Sequence, residues 1–324
     1  MKRRSLLSLS IALTATLAGP VLAQPAWPSK PVRVVVPAPA GSSLDLIVRA
    51  MSEKLGARWG HAVVVENKPG AGGMLGMDVA AKATDGHTLA IGFNGPVAFA
   101  PFLYRKMPYD PAKDLVPVVM TTSQANVLAV NADKVPAKTV AEFVTWAKAQ
   151  GGKVNYSSLG NGSSAHLTME LFLSEAGLTA THIPFNGSPP AAMAVAQGEA
   201  DATFMVAPAL LAHVRNNKIR MLAVSSAQRP DSQKDLPTLA DAGYRNVESL
   251  AWNGLFAPAG TPDAVVARIN ADVNELLKDP AVKATLDAQG LTAVGGSAAD
   301  FKRVLDAESK RWGPIIMRIG VKLD

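Results

Sequence analysis

The chain contains no cysteine, so disulfides, thiol chemistry and a lipid-bearing cysteine behind an export signal are all excluded. Aromatic residues make up only 6% of the sequence and charged residues 18%. The basic residues are scattered rather than clustered, which argues against a phosphate-tracking, base-stacking groove, and no nucleic-acid partner is expected. Among the histidines His61, His87, His166, His182 and His213 no two stand three to five apart, so a metal-binding helix is not expected. Neither G-x-x-x-x-G-K-[ST] nor a G-x-S-x-G elbow occurs, and no cofactor is implied. Beyond the first residues no apolar run is long enough for a membrane span of roughly 20 residues.

What is present begins with Lys2-Arg3-Arg4, an uncharged run from Ser5 to Gly19, and Val21-Leu22-Ala23. A basic end, a short apolar stretch and small residues at a cleavage point read as an export signal over 1–23, with a mature chain from Gln24 released into the periplasm. Arg3-Arg4 also fits a twin-arginine signal, and the sequence leaves that alternative open. Three of the 32 basic residues fall in this leader, leaving 29 against 26 acidic ones, a mature net charge of +3. A chain of roughly 300 residues exceeds what one core usually fills, so two domains are expected.

Along the mature chain, short β-branched runs alternate with amphipathic stretches. Val32 to Val36 ends at Pro37 and is followed by Leu46, Ile47, Ala50, Met51 and Leu55 at helical spacing. The pattern recurs at Val63-Val64-Val65 and Thr88 to Ile91. A second unit starts from Val127 to Val130, continues through a helix over 140–150, a strand over 154–157 and a helix over 165–176, and ends near Val224. Such alternation implies parallel sheets with helices on both faces and ligands beyond the carboxyl ends of the strands. The run Leu250 to Ala257 carries the chain back. This division makes 24–124 with 249–324 one lobe and 125–248 the other, with a double crossing as hinge.

Two glycine- and serine-rich loops stand at strand ends. In the first, Ala40, Gly41, Ser42 and Ser43 can offer N–H groups to a carboxylate while Asp45 holds the loop from behind; Ser42 and Asp45 also have the spacing of a helix capping box and nothing more. In the second, Ser157, Asn161, Gly162, Ser163 and His166 form either an anion seat or a tight turn. The Gly70-Ala71-Gly72-Gly73-Met74-Leu75-Gly76 segment fails the dinucleotide fingerprint, because Leu75 stands where the third glycine belongs. Asn186 and Gly187, after the apolar His182 to Phe185, sit at a strand end that would face the cleft.

The ordered motifs Val36-Pro37-Ala38-Pro39-Ala40-Gly41-Ser42-Ser43-Leu44-Asp45, Glu66-Asn67-Lys68-Pro69-Gly70-Ala71-Gly72-Gly73, Asp85-Gly86-His87-Thr88-Leu89, Met107-Pro108-Tyr109-Asp110-Pro111, Asn155 to Leu167 and Leu255 to Pro262 span essentially the whole mature chain. Together they resemble the Bug receptors, extracytoplasmic solute-binding proteins of tripartite tricarboxylate transporters. The resemblance implies a two-lobed type II periplasmic-binding-protein fold, α/β, each lobe a mixed sheet flanked by helices, with the ligand cleft between lobes. It implies a non-enzymatic, monomeric receptor that captures a small carboxylate, or a close neutral relative, for membrane transporter subunits. It further implies that one ligand carboxylate lies between the two loops, and that Ala38, Phe93, Asn94, Gly95, Phe185, Asn186 and Trp252 face the rest of the ligand. Ala38 replaces the usual aromatic of the family, and Phe185-Asn186 stand where a tyrosine and a basic residue are common. These departures favour a monocarboxylate, aromatic acid or neutral relative over citrate. The alternatives are an exported serine hydrolase using Ser157 or Ser163 with His166, and a ligand sensor that engages a membrane kinase.

Overall fold

A computed structural model describes residues 27–323; the export signal and its cleavage point lie outside the described residues. The first strand, β1 (Val32–Val36), is followed by helix α1 (Ser43–Trp59). Ser42 caps α1, its side chain accepting from the Asp45 N–H, and Gly60 ends the helix in the left-handed conformation at φ 71°. Next come β2 (Val63–Asn67), α2 (Met74–Ala81), β3 (Thr88–Phe93), a wide π-turn over Gly95–Phe99 and α3 (Ala100–Leu103).

Strand β4 (Leu115–Asn131) is a single 17-residue strand. The sequence pattern separates two apolar runs here because Thr121, Thr122, Ser123 and Gln124 interrupt them. Those polar groups are satisfied inside the structure: Thr121 donates to the Asn253 carbonyl at 2.9 Å, and the Asn253 amide donates to Thr122 at 2.9 Å. Extended backbone therefore continues through them. Beyond β4 lie α4 (Val140–Ala149), β5 (Asn155–Ser158), α5 (Ser164–Ala176), β6 (Thr181–Pro184), α6 (Ser188–Gln197), β7 (Ala202–Val206), α7 (Ala207–Arg215) and β8 (Ile219–Val224). The chain returns through β9 (Leu250–Pro258) and finishes with α8 (Asp263–Lys278), α9 (Pro280–Asp287), β10 (Thr292–Ala293) and α10 (Ala298–Ile319).

The strand order is β2-β1-β3-β9-β4-β7-β5-β6, with β8 and β10 also on β4. The β1, β2 and β3 pairings are parallel, as are those among β5, β6 and β7. The sheets are nevertheless mixed, since β9 runs antiparallel to both β3 and β4, and β7 and β8 run antiparallel to β4. Residues Leu115 to Ala125 of β4 pair with β9, whereas Asn126 to Asn131 pair with β7 and β8. One continuous strand thus belongs to both lobes. Ser249, just before β9, donates its N–H to the Ser225 carbonyl at 2.9 Å, so the return crossing is held beside the end of β8.

The first lobe packs Ile47, Met51 and Leu55 of α1 against Ile269, Val273 and Leu276 of α8 in one buried cluster, the apolar stripes facing each other as their helical spacing requires. Helix α10 begins with a full capping box between Ser297 and Asp300 and lays Phe301 against Trp252 and Phe256 of β9. Among the described residues no helix is long and apolar enough to cross a membrane.

Candidate functional site

Between the lobes lies a cleft whose empty space, counting its open mouth, is ≈ 390 Å³. The first-lobe wall is built from Pro37, Ala38 and Pro39 after β1, from Ser42, Ser43 and Leu44 at the start of α1, and from Phe93 at the end of β3. Pro69, Gly70, Gly72 and Gly73 complete it. The second lobe contributes Leu159, Asn186, Gly187 and Ser188.

The α1 end of the cleft is shaped by a buried carboxylate. Asp45 accepts the Gly41 N–H at 3.0 Å, the Arg49 guanidinium at 2.9 Å and the Asn67 amide at 3.0 Å. The same Asn67 amide donates to the Ala38 carbonyl at 3.0 Å, so Asp45 and Asn67 fix both ends of the loop from behind. Burial pushes the Asp45 carboxyl up, but the hydrogen bonds from Arg49, Gly41 and Asn67 together outweigh it and hold the group below the usual aspartate range. Two donors of the first turn of α1, the Ser43 and Leu44 N–H groups, have no protein partner. Both residues line the cleft and are buried, and the helix dipole adds positive potential there. An anion is the natural occupant of that position.

The wall formed by Gly70 to Gly73 is an irregular turn with positive φ throughout: 132° at Gly70, 48° at Ala71, 62° at Gly72 and 92° at Gly73. A side chain at Gly73 would collide with the Phe93 ring, its Cβ falling 2.6 Å from Cε1, so this glycine leaves room for the ring that walls the cleft. In the sequence this loop fails the dinucleotide fingerprint and forms one of the ordered motifs of the family resemblance, without being assigned to the ligand cleft. Its density of glycine after a strand was the available signal for a close-approach surface.

Of the residues singled out from the sequence, Ala38, Ser42, Ser43, Phe93 and Asn186 line the cleft. Ala40 and Gly41 are exposed at the loop tip, and the Gly41 N–H is taken by Asp45. The second loop lies elsewhere in the cleft region: a Cβ at Gly72 would overlap the Asn161 carbonyl oxygen, and one at Gly95 would fall 3.1 Å from the Gly162 carbonyl oxygen. The Gly160 to Ser163 loop therefore meets first-lobe glycines instead of walling the empty space. Gly187 makes a second such meeting with Pro39.

Asn94 and Trp252 point away from the cleft to a part-buried carboxylate on α10. Glu308 accepts from Asn94 at 2.7 Å and from the Trp252 indole at 3.3 Å, and the Asn94 side-chain oxygen accepts the Trp252 N–H at 3.0 Å. Burial raises the Glu308 pKa above the ordinary glutamate value. Phe185 is half-buried and packs against the α6 and β7 side of the second lobe.

The hydroxyls that a hydrolase would use are engaged with backbone. Ser157 donates to the Ala191 carbonyl at 2.9 Å, and Ser163 caps α5 by accepting the His166 backbone N–H at 3.3 Å. The His166 ring accepts the Gly162 N–H through Nδ1 at 3.1 Å and stacks on His182 with centroids 4.0 Å apart. Burial, together with His182, lowers the His166 pKa to about 3, and burial lowers that of His182 to about 4. Both rings are neutral supports of the loop at neutral pH.

The profile of the family described as "Tripartite tricarboxylate transporter family receptor" matches residues 47–321. The chain belongs to this receptor family. Protein BugT of Bordetella pertussis is 34% identical over 312 residues, covering 96% of this chain and 95% of the relative. The solved structure of R. palustris Rpa4515 with adipate is 32% identical with a TM-score of 0.88, covering 91% of this chain and 99% of the other. MatC from Rhodopseudomonas palustris with bound malate is 29% identical with a TM-score of 0.85, covering 90% of this chain and 100% of the other. These neighbours share the two-lobed periplasmic-binding-protein fold, and membership of the receptor family favours a carboxylate-binding receptor over an exported serine hydrolase.

Proposed function

We propose that this receptor is a non-catalytic, monomeric periplasmic protein, cleaved after Ala23, that closes on a small organic acid and presents it to a membrane transporter. The lobes are proposed as 24–124 with 249–324 and 125–248, hinged where β4 and the segment entering β9 cross. The observation that carries this reading is the pair of unpartnered N–H groups of the buried Ser43 and Leu44, residues that line the open-mouthed cleft between the two lobes. Closure removes water and strengthens charge-assisted hydrogen bonds to a carboxylate.

The reading is tested by thermal denaturation of the mature protein with a panel of organic acids. Ligand at about 100 times its dissociation constant adds roughly 2.7 kcal/mol, which corresponds to about 5–11 °C for a chain of this size. Ser43→Trp fills the seat from the first turn of α1, and it is expected to abolish the shift while the unliganded protein melts normally. A shift that survives in a folded Ser43→Trp variant would place the ligand elsewhere, and silence across the panel would remove the receptor reading itself.

A further inference from the structure

Among the described residues, no charged side chain lines the cleft. Of the basic side chains on the segments that build it, Arg49 is paired with Asp45 at 2.9 Å, and Lys68, just before the lining Pro69, is paired at the surface with Glu66 at 2.9 Å. Positive potential for a ligand therefore comes from backbone, and the two lobes supply it unequally. Helix α1 offers the Ser43 and Leu44 N–H groups and the Ser43 hydroxyl. Helix α6 faces the cleft from the other side, but Pro189 and Pro190 occupy its second and third positions and carry no N–H. The Gly187 N–H is taken by the Leu159 carbonyl at 3.1 Å. That end keeps only the Ser188 N–H and hydroxyl and the exposed Asn186 amide.

Resting on the receptor reading above, we infer that the ligand carries a single carboxylate seated on the first turn of α1, and that the rest of it is an uncharged, largely apolar body lying against Phe93 and the proline wall. A second carboxylate would be taken out of water at the α6 end with few neutral donors and no cation, a loss that is costly unless a buried charge is paired. An apolar body loses nothing there and gains by leaving water beside Phe93, Leu159 and Pro37, Pro39 and Pro69.

Calorimetric titration of the mature protein tests this with acetate through octanoate and benzoate, each against the dicarboxylate of matching length or ring and against its neutral amide. The expected result is that a monocarboxylate binds and that its matched dicarboxylate and amide each bind at least about tenfold more weakly. Asn186→Arg supplies a cation at the α6 end and is expected to strengthen dicarboxylate binding by about tenfold or more. A dicarboxylate or an amide binding as tightly as the monocarboxylate, with binding abolished by Ser43→Trp, overturns the single-carboxylate inference and leaves the receptor reading intact. No binding by any acid in the series overturns the receptor reading and this inference with it.

Discussion

Gly72→Ala is expected to weaken ligand binding while destabilising the fold no more than a matched left-handed control does. Gly72 belongs to the first lobe, and a Cβ placed there would stand closer than 3.0 Å to the Asn161 carbonyl oxygen of the second. The obstacle is backbone, which cannot rotate aside as a side chain would. Two costs arise. Alanine at φ 62° carries left-handed strain of about 1–2 kcal/mol, which applies whether the cleft is open or closed. The overlap applies only when the lobes meet, and overpacking of this kind costs about 1–3 kcal/mol. Only the second cost biases the open–closed equilibrium, so the apparent affinity is expected to fall roughly 5- to 150-fold. Gly60→Ala is the matched control: its φ is 71°, nothing lies within 4 Å of the added Cβ, and it ends α1 away from the cleft. Titration calorimetry with the tightest-binding acid, and scattering measurements of the radius of gyration with and without it, separate the two effects. Equal affinity in Gly72→Ala and Gly60→Ala would refute the argument that closure depends on glycine at this meeting point.

Asp45→Ala strips the acceptor from Gly41, Arg49 and Asn67 and is expected to cost roughly 2 kcal/mol in denaturant unfolding, with ligand affinity falling as the loop loosens. Because the folded Asp45 pKa lies below the ordinary value, its stabilisation is present above about pH 4 and is lost as pH falls through the folded value; Asp45→Asn should remove that part of the acid sensitivity. The histidine pair acts in a higher window. With folded pKa values of about 3 for His166 and about 4 for His182, the unfolded chain takes up protons below about pH 6.5 that the folded chain refuses. Unfolding free energy should therefore drop steadily from pH 7 to pH 5, by up to roughly 2 kcal/mol per histidine at the lower end, with the melting temperature falling alongside, and His182→Gln should flatten the slope. An unchanged slope would show that the pair does not control it. Glu308 has the opposite sign: its raised pKa means that stability is fullest below the ordinary glutamate value and declines as pH rises through the folded one. Glu308→Gln keeps an acceptor for Asn94 and Trp252, so its melting temperature should gain on the wild type as pH rises above the ordinary glutamate value, and a constant difference across that rise would refute this.

The features readable from sequence are those encoded locally. A β-branched run ending in proline, a serine cap and an apolar stripe at helical spacing place β1, the Ser42 cap and α1 without any distant information, and the same logic places β5 and α5 behind Ser163. The two halves of β4 read as separate because the polar residues between them find their partners on β9, with Asn253 lying 131 residues from Thr122. Asn94 likewise follows a strand end and looks like a cleft residue, but its partner Glu308 is 214 residues away on a helix that no local pattern connects to it. The glycine loop at 70–73 was visible as composition, yet its role depends on the Phe93 ring and on Asn161 from the opposite lobe. Local sequence therefore specifies where N–H groups are left free, and the return of the chain through β9 and α10 engages Asn94, which local pattern alone would place in the cleft. On the proposed reading that division places recognition of the carboxylate in the short segment from Pro37 to Asp45, and leaves the remainder of the ligand to residues from four separated lining segments, at 69–73, 93, 159 and 186–188.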